Sequence, residues 1–142
     1  MTDDTLETLK ATIKKAEGYS AELYTDTVGV TTIGYGRAIG RVGISRDEAE
    51  LMFANDVGRV LRGLDMALPW WRTLDEVRQA ALCEMAYQLG LNGVMNFRKM
   101  RTALREGEYD RAADEALDSK WHAQTPKRCE RVARMFRTGE WQ

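Results

Sequence analysis

Glu17, Asp26 and Thr32 lie in the stretch EGYSAELYTDTVGVTTIGYG, with eight residues between the first two and five between the last two. Two carboxyl groups and a hydroxyl in so short a segment can do acid–base chemistry if their environments differ. Cleavage of a glycosidic bond needs that asymmetry. One carboxyl stays protonated and gives its proton to the leaving oxygen, while the other stays ionised to activate water or to face positive charge on the sugar. A hydroxyl beside the second carboxylate can hold the water. Gly34 and Gly36 carry no side chains, so a polysaccharide can come close to the strand backbone there. Spacing alone does not decide the matter, because a Glu at a helix end and an Asp in a turn serve equally well as surface residues or caps.

The elements around this segment follow from period and punctuation. Leu6, Leu9 and Ile13 recur at helical spacing behind an Asp4–Glu7 capping signal, and Gly18 is the expected stop. The Thr-, Tyr- and Val-rich run that follows, with its turn glycines, reads as a short antiparallel sheet. Ser45 and Glu48 form a capping box for a long helix whose apolar face runs through Phe53, Val57, Val60, Leu61, Leu64 and Leu68. A second box from Thr73 to Glu76 opens an Ala-rich helix that Gly90 should stop. Two further helices follow, the first closed by Gly107, and Thr125-Pro126 then starts a last one ended by Gly139. The expected architecture is α+β: a small sheet lobe, about residues 17–56, and a helical lobe, about 1–16 and 57–142, joined by the long helix. A cleft between two such lobes is a natural ligand site.

Composition narrows the function classes. The chain has 142 residues, 44% hydrophobic and 30% charged, which suits a single globular domain with its own core. No apolar run approaches the roughly 20 residues of a membrane-spanning helix, so the protein is not expected to be membrane-embedded. The two cysteines, Cys83 and Cys129, and the lone His122 give no basis for a disulfide framework or a histidine metal site. They read as free small hydrophobes and a half-exposed helix-end residue. The net charge of −1 serves nucleic-acid binding poorly. The basic end, Lys120 to Arg137, could face an anionic polymer or simply solvate a helix. Trp70, Trp71, Trp121 and Trp141 read as packing residues first and sugar-stacking residues second, and Met52, Met66, Met85, Met95 and Met135 as core filler.

The opening stretch resembles the catalytic segment of the bacteriophage lysozymes of the T-even type, a muramidase family with this Glu, Asp and Thr spacing. RDEAELMFANDV, VRQAALCEMAYQLG and WHAQTPKRCERVARMFRTGEW resemble later segments of the same family in the same order, from about Leu9 to Trp141. The resemblance implies a lysozyme-like fold and hydrolysis of the β-1,4 bond between N-acetylmuramic acid and N-acetylglucosamine in peptidoglycan, without metal or other cofactor. It implies Glu17 as general acid, Asp26 as second carboxylate and Thr32 as hydroxyl partner of the water. Arg128, in TPKR, would match the arginine that fixes the catalytic glutamate. Tyr87 and Gln88, in AYQLG, would match cleft residues that meet the glycan, with Gly36 and Lys120 also on the substrate side. Arg37 departs from the histidine often found there, and Met100 and Lys120 take cleft-side positions filled differently in other members. In this register Asp56 lies opposite Arg37, and the two are expected to pair. Glu17 must be protonated to act, so its site is expected to be partly desolvated, with burial completed by the glycan.

The expected role is a monomeric endolysin, probing no partner but peptidoglycan. The N-terminus, MTDDTLETLK, is acidic where a signal peptide is basic and then apolar. Synthesis in the host cytoplasm is expected, with release to the periplasmic side of the cell wall through a separate pore-forming protein, a holin. A lytic transglycosylase would need the acid but not a water-activating carboxylate, so Asp26 and Thr32 weigh against it. A non-catalytic virion or wall-binding protein on the same fold would tolerate loss of Glu17 or Asp26, and both are present.

Overall fold

The computed structural model describes Met1–Gln142. In chain order it contains α1 (Asp3–Glu17), β1 (Ser20–Thr25), β2 (Thr31–Gly34), α2 (Ile39–Val42), α3 (Arg46–Ala67), a 3-10 turn (Trp71–Thr73), α4 (Glu76–Met95), α5 (Arg98–Glu106), α6 (Tyr109–Leu117), α7 (Lys120–Gln124) and α8 (Pro126–Thr138). Helices dominate, and the one sheet is a two-stranded antiparallel hairpin, so the α+β class expected from the sequence holds. No helix is long and apolar enough to cross a membrane. The chain divides into two compact units, Met1–Leu51 and Met52–Gln142, and the division falls within the 22 residues of α3.

In the first unit, Thr2 caps α1 by accepting from the Thr5 N–H at 3.2 Å, so the cap lies two residues before the Asp4 signal. The helix ends where read, at Glu17, with the Gly18 N–H donating to the Lys14 carbonyl at 2.9 Å. Its Leu6, Leu9 and Ile13 stripe is exposed, and the only hydrophobic side chain buried in this unit is Val30. The hairpin pairs Tyr24 with Thr32, Thr25 with Thr31 and Ser20 with Gly34, with an irregularity between Ser20 and Tyr24. Beyond β2 the strand reading fails. Ile33 and Arg37 exchange backbone hydrogen bonds at 3.0 Å each around a tight turn, and the chain then enters the short helix α2. The Ser45–Glu48 capping box forms as expected: the Ser45 N–H donates to Glu48 at 2.8 Å and the Glu48 N–H to the Ser45 hydroxyl at 3.2 Å.

The second unit holds a continuous core. Leu64, Leu68 and Trp71 pack with Leu82 and Met85 of α4, Met100 and Leu104 of α5, Trp121, and Val132, Met135 and Phe136 of α8. Ala112, Ala113 and Ala116 of α6 are fully buried between α5 and α8, where small side chains let helix backbones come close. Arg78 ties two helix ends together. Its guanidinium donates to the carbonyls of Phe136 at 2.7 Å and Arg137 at 3.0 Å, where α8 runs out of intrahelical donors. It also pairs with Asp75 and lies 3.5 Å from the centroid of the Tyr109 ring. Asp75, not Thr73, caps α4, accepting from the Arg78 N–H at 3.0 Å, while the Thr73 hydroxyl donates to the Trp70 carbonyl. Gly90, with φ of 77°, breaks α4 as expected, but helix resumes to Met95. Of the tryptophans Trp71 and Trp121 are buried, whereas Trp141 is exposed; Met52 and Met66 are exposed too, so neither fills core.

Arg37 and Asp56 were expected to pair with each other, but each finds a partner within its own unit. Arg37 pairs with Glu48 and donates to the Gly43 carbonyl at 3.2 Å, while Asp56 pairs with Arg59 one turn along the same helix. Each cation meets a carboxylate that local backbone geometry already presents, at little cost in ordering. The Ser45 backbone N–H, and after it the Arg37 guanidinium, hold the Glu48 carboxyl down at about 2. A carboxyl lowered on folding stabilises the fold above its ordinary value of 4.5, and that contribution is lost as pH falls through about 2. In Arg37→Ala, an NMR titration of the Glu48 side-chain carboxyl should move upward, yet stop short of the ordinary value because the Ser45 N–H remains.

Candidate functional site

Asp26 closes the hairpin. Its backbone N–H donates to the Val30 carbonyl at 2.9 Å, and its Oδ1 accepts from the N–H groups of Val28 at 2.9 Å and Val30 at 2.8 Å. This is the turn that a short acidic side chain makes with its own backbone. Oδ1 is thereby fully used, and Oδ2 has no hydrogen bond within the protein. The Val30 carbonyl also accepts the Thr32 hydroxyl proton at 2.8 Å. One carbonyl oxygen thus joins the backbone of Asp26 to the side chain of Thr32. Thr32 is the single buried polar residue, 3% exposed. Because its proton is donated inward, its oxygen can only accept from anything else that approaches.

Glu17 is the last residue of α1, and its side chain is exposed. The carboxyl lies directly over Gly36: a Cβ placed on Gly36 would come within 2.6 Å of Glu17 Cδ and 3.0 Å of Cγ. Gly36 also has φ of 70°, a conformation that side chains strain. The positive φ is what calls for glycine here, while the contact is with the far end of an exposed, flexible side chain that can move aside. The partial desolvation expected of Glu17 is absent from the side chain's own surroundings.

The remaining predicted residues lie in the second unit. Tyr87 is exposed on α4, its ring edge-on to Phe53 with centroids 5.6 Å apart. Gln88, beside it, is half-buried and clamps helices together. Its Oε1 accepts from the Trp121 indole at 3.0 Å, and its Nε2 donates to the Thr125 hydroxyl at 3.1 Å. An indole N–H can only donate, which fixes the orientation of the amide. The Thr125 hydroxyl consequently does not cap α8, although Pro126 does take the first helical position. Lys120 is exposed at the start of α7. Met100, read as cleft-side, is a core residue of α5. His122 is half-exposed and meets Glu130 at 3.0 Å. Cys83 and Cys129 are free, and burial pushes each thiol up to about 11, so neither is a thiolate near neutral pH.

Sequence reading missed Glu84. Its carboxylate accepts from Arg128 Nε at 3.0 Å and also from Arg131. Burial pushes this carboxyl upward, but the hydrogen bonds from Arg131 and Arg128 outweigh that and leave it below its ordinary range. Arg131, in the basic end of the chain, thus shares a carboxylate with Arg128. Glu84 and Arg128 edge a pocket of about 270 Å³ with Phe53, Val57, Val60, Cys83 and Tyr87. The signal was available: a lone carboxylate inside the apolar run ALCEMAY, one turn before Tyr87 and Gln88.

Gly36→Ala tests the seat of the acid. A methyl group at positive φ costs more than about 1 kcal/mol, read as a lower urea midpoint. The Glu17 side-chain carboxyl resonance should shift in the same variant, because the added carbon takes its place.

The chain compares with known proteins along nearly its whole length. The phage lysozyme family profile matches residues 14–135. A Dictyostelium discoideum protein named "Probable T4-type lysozyme 2" is 31% identical, over 94% of this chain and 96% of that protein. "Probable T4-type lysozyme 1" of the same organism is 27% identical over the same shares. The pre-baseplate central spike protein Gp5 of Enterobacteria phage T4 is 30% identical over 89% of this chain, which amounts to 27% of that protein. With a carboxylate-bearing hairpin, a helix-end glutamate and a family match over most of its length, this chain belongs to the phage lysozyme family of peptidoglycan-hydrolysing glycosidases.

Proposed function

We propose that the chain is a muramidase endolysin that hydrolyses the β-1,4 bond between N-acetylmuramic acid and N-acetylglucosamine with inversion, and that Glu17, Asp26 and Thr32 carry the reaction. Glu17 gives its proton to the glycosidic oxygen. Water, deprotonated by Asp26, attacks the opposite face of the sugar. The observation that carries this reading is the hydrogen bonding around Val30. A water that donates one hydrogen to Asp26 Oδ2 and the other to Thr32 Oγ1 keeps a lone pair free for attack. Thr32 can serve only as acceptor there, since its own proton is held by Val30. Asp26, tied by two backbone N–H groups, is suited to hold a water and is poorly placed to advance as a nucleophile.

Glu17 is exposed, so the glycan that covers it supplies the desolvation a general acid needs. Arg128 takes the supporting role of orienting the acid; its Nε is held by Glu84 and its Nη groups make no hydrogen bond in the protein. Gly36 leaves the backbone open to the glycan, and Tyr87, Gln88 and Lys120 contribute contacts on the substrate side. Residues 1–142 act as one catalytic domain and as a monomer, made in the host cytoplasm and released to the wall through a separate holin. The spike-protein relative favours a second reading, the same chemistry performed within a virion assembly. Immunodetection on purified particles separates the two.

Digestion of purified peptidoglycan followed by mass spectrometry should yield reducing muramic acid ends, whereas anhydro ends would favour a transglycosylase. Glu17→Gln should keep its helical content and its affinity for peptidoglycan while losing about 10²–10⁴-fold in rate. Stereochemistry gives an independent check. Inversion at a β-linkage releases the α-anomer first, and an early NMR spectrum rich in the β-anomer would overturn the water-activating role of Asp26.

A further inference from the structure

Gly34, Tyr35 and Gly36 form the tip of the turn closed by Ile33 and Arg37, and this turn also seats Glu17. The tip presents Tyr35 outward, 47% exposed. Tyr19, two residues beyond the acid and 70% exposed, lies beside it with ring centroids 5.5 Å apart and planes tilted by 47°. Lys14, one turn before Glu17 on α1, holds its ammonium 5.1 Å from the centroid of the Tyr35 ring. Lys14 has no carboxylate partner, and neither phenol hydroxyl makes a hydrogen bond within the protein. Two large aromatic side chains and an unpaired cation thus flank the acid on both sides in sequence, and the core uses none of them.

We propose that Tyr19, Tyr35 and Lys14 form a subsite for the peptide-bearing muramoyl residue of the substrate; this rests on the muramidase reading above. The Tyr19 ring offers an open face for the C–H face of a pyranose. Tyr35 holds Lys14 by its ring face, a cation–π contact that fixes a long flexible side chain. The ammonium so fixed meets a carboxylate of the stem peptide, the anionic substituent that a muramoyl residue carries and a plain glucosamine residue lacks. Aromatic stacking then binds the sugar, and the cation reads its substitution.

The test uses sacculi free of secondary wall polymers, intact and stripped of stem-peptide charge by carbodiimide conversion of the peptide carboxyls to neutral amides. Wild type, Lys14→Ala, Lys14→Arg and Tyr19→Ala are compared by initial rate, and by co-sedimentation in a Glu17→Gln background. Lys14→Ala should weaken kcat/KM and binding about three- to fivefold on intact sacculi, the size of an exposed charge pair. It should change neither on stripped strands, and the intact-substrate loss should lie in KM. Lys14→Arg should restore the preference, and Tyr19→Ala should weaken binding to both substrates. A Lys14→Ala effect equal on the two substrates, or absent from both, overturns the subsite. Failure of the muramidase reading looks different: wild type would then release no reducing muramic acid ends from either substrate, and the co-sedimentation comparison would still decide the role of Lys14.

Discussion

The hairpin that carries the proposed site depends on the division of labour within one carboxylate. Asp26 Oδ1 accepts two backbone N–H groups and thereby makes the turn between β1 and β2. Removing that oxygen's charge would weaken the turn as well as any chemistry at Oδ2. The Val30 carbonyl, drawn into the same turn, collects the Asp26 N–H and the Thr32 hydroxyl. The geometry of the second carboxylate, the polarity of Thr32 and the closure of the hairpin are consequently one constraint. A hairpin with a glycine-only turn could close without Asp, but it would present no acceptor pair to a water.

A comparable economy governs the helical unit. Gln88, read from its motif as a glycan contact, spends its amide on the Trp121 indole and the Thr125 hydroxyl. Replacing it would leave a buried N–H without an acceptor, at about 1–3 kcal/mol. Glu84 gathers Arg128 and Arg131 on one carboxylate oxygen, which costs it solvation that the two cations return. Polar residues of α4 are thus structural members whether or not they also touch substrate. Loss of activity in a Gln88 variant would not by itself identify a glycan contact.

Local signals were legible from the residues, and partners were not. The Ser45–Glu48 box and the glycine stops at Gly18, Gly107 and Gly139 are settled by neighbouring backbone conformation, which short sequence windows encode. The N-caps at Thr2 and Asp75 were misplaced by two residues each, because several residues nearby can cap and only the helix's exact entry selects one. Met100 in the core and Glu84 between two arginines depend on tertiary packing that no local window contains. The carboxylates and hydroxyl of the proposed site were picked out by type and spacing, which left their role open, and the family resemblance supplied the role proposed for them. What neither gave was the direction of the Thr32 proton, which follows from a single carbonyl.

The exposure of Glu17 bears on how selectivity and catalysis are linked. A general acid held by burial in its own protein is ready before substrate arrives, and it pays in stability for a carboxyl kept away from water. Glu17 instead rests on a glycine at the end of a helix, with its side chain exposed. If Glu17 is the general acid proposed above, the substrate itself must supply the desolvation that such an acid needs. On that proposal, a glycan that fills the site poorly would leave Glu17 uncovered and the chemical step slow. Shape recognition would then act on the chemical step as well as on affinity, because covering of the proposed acid becomes a condition for its use.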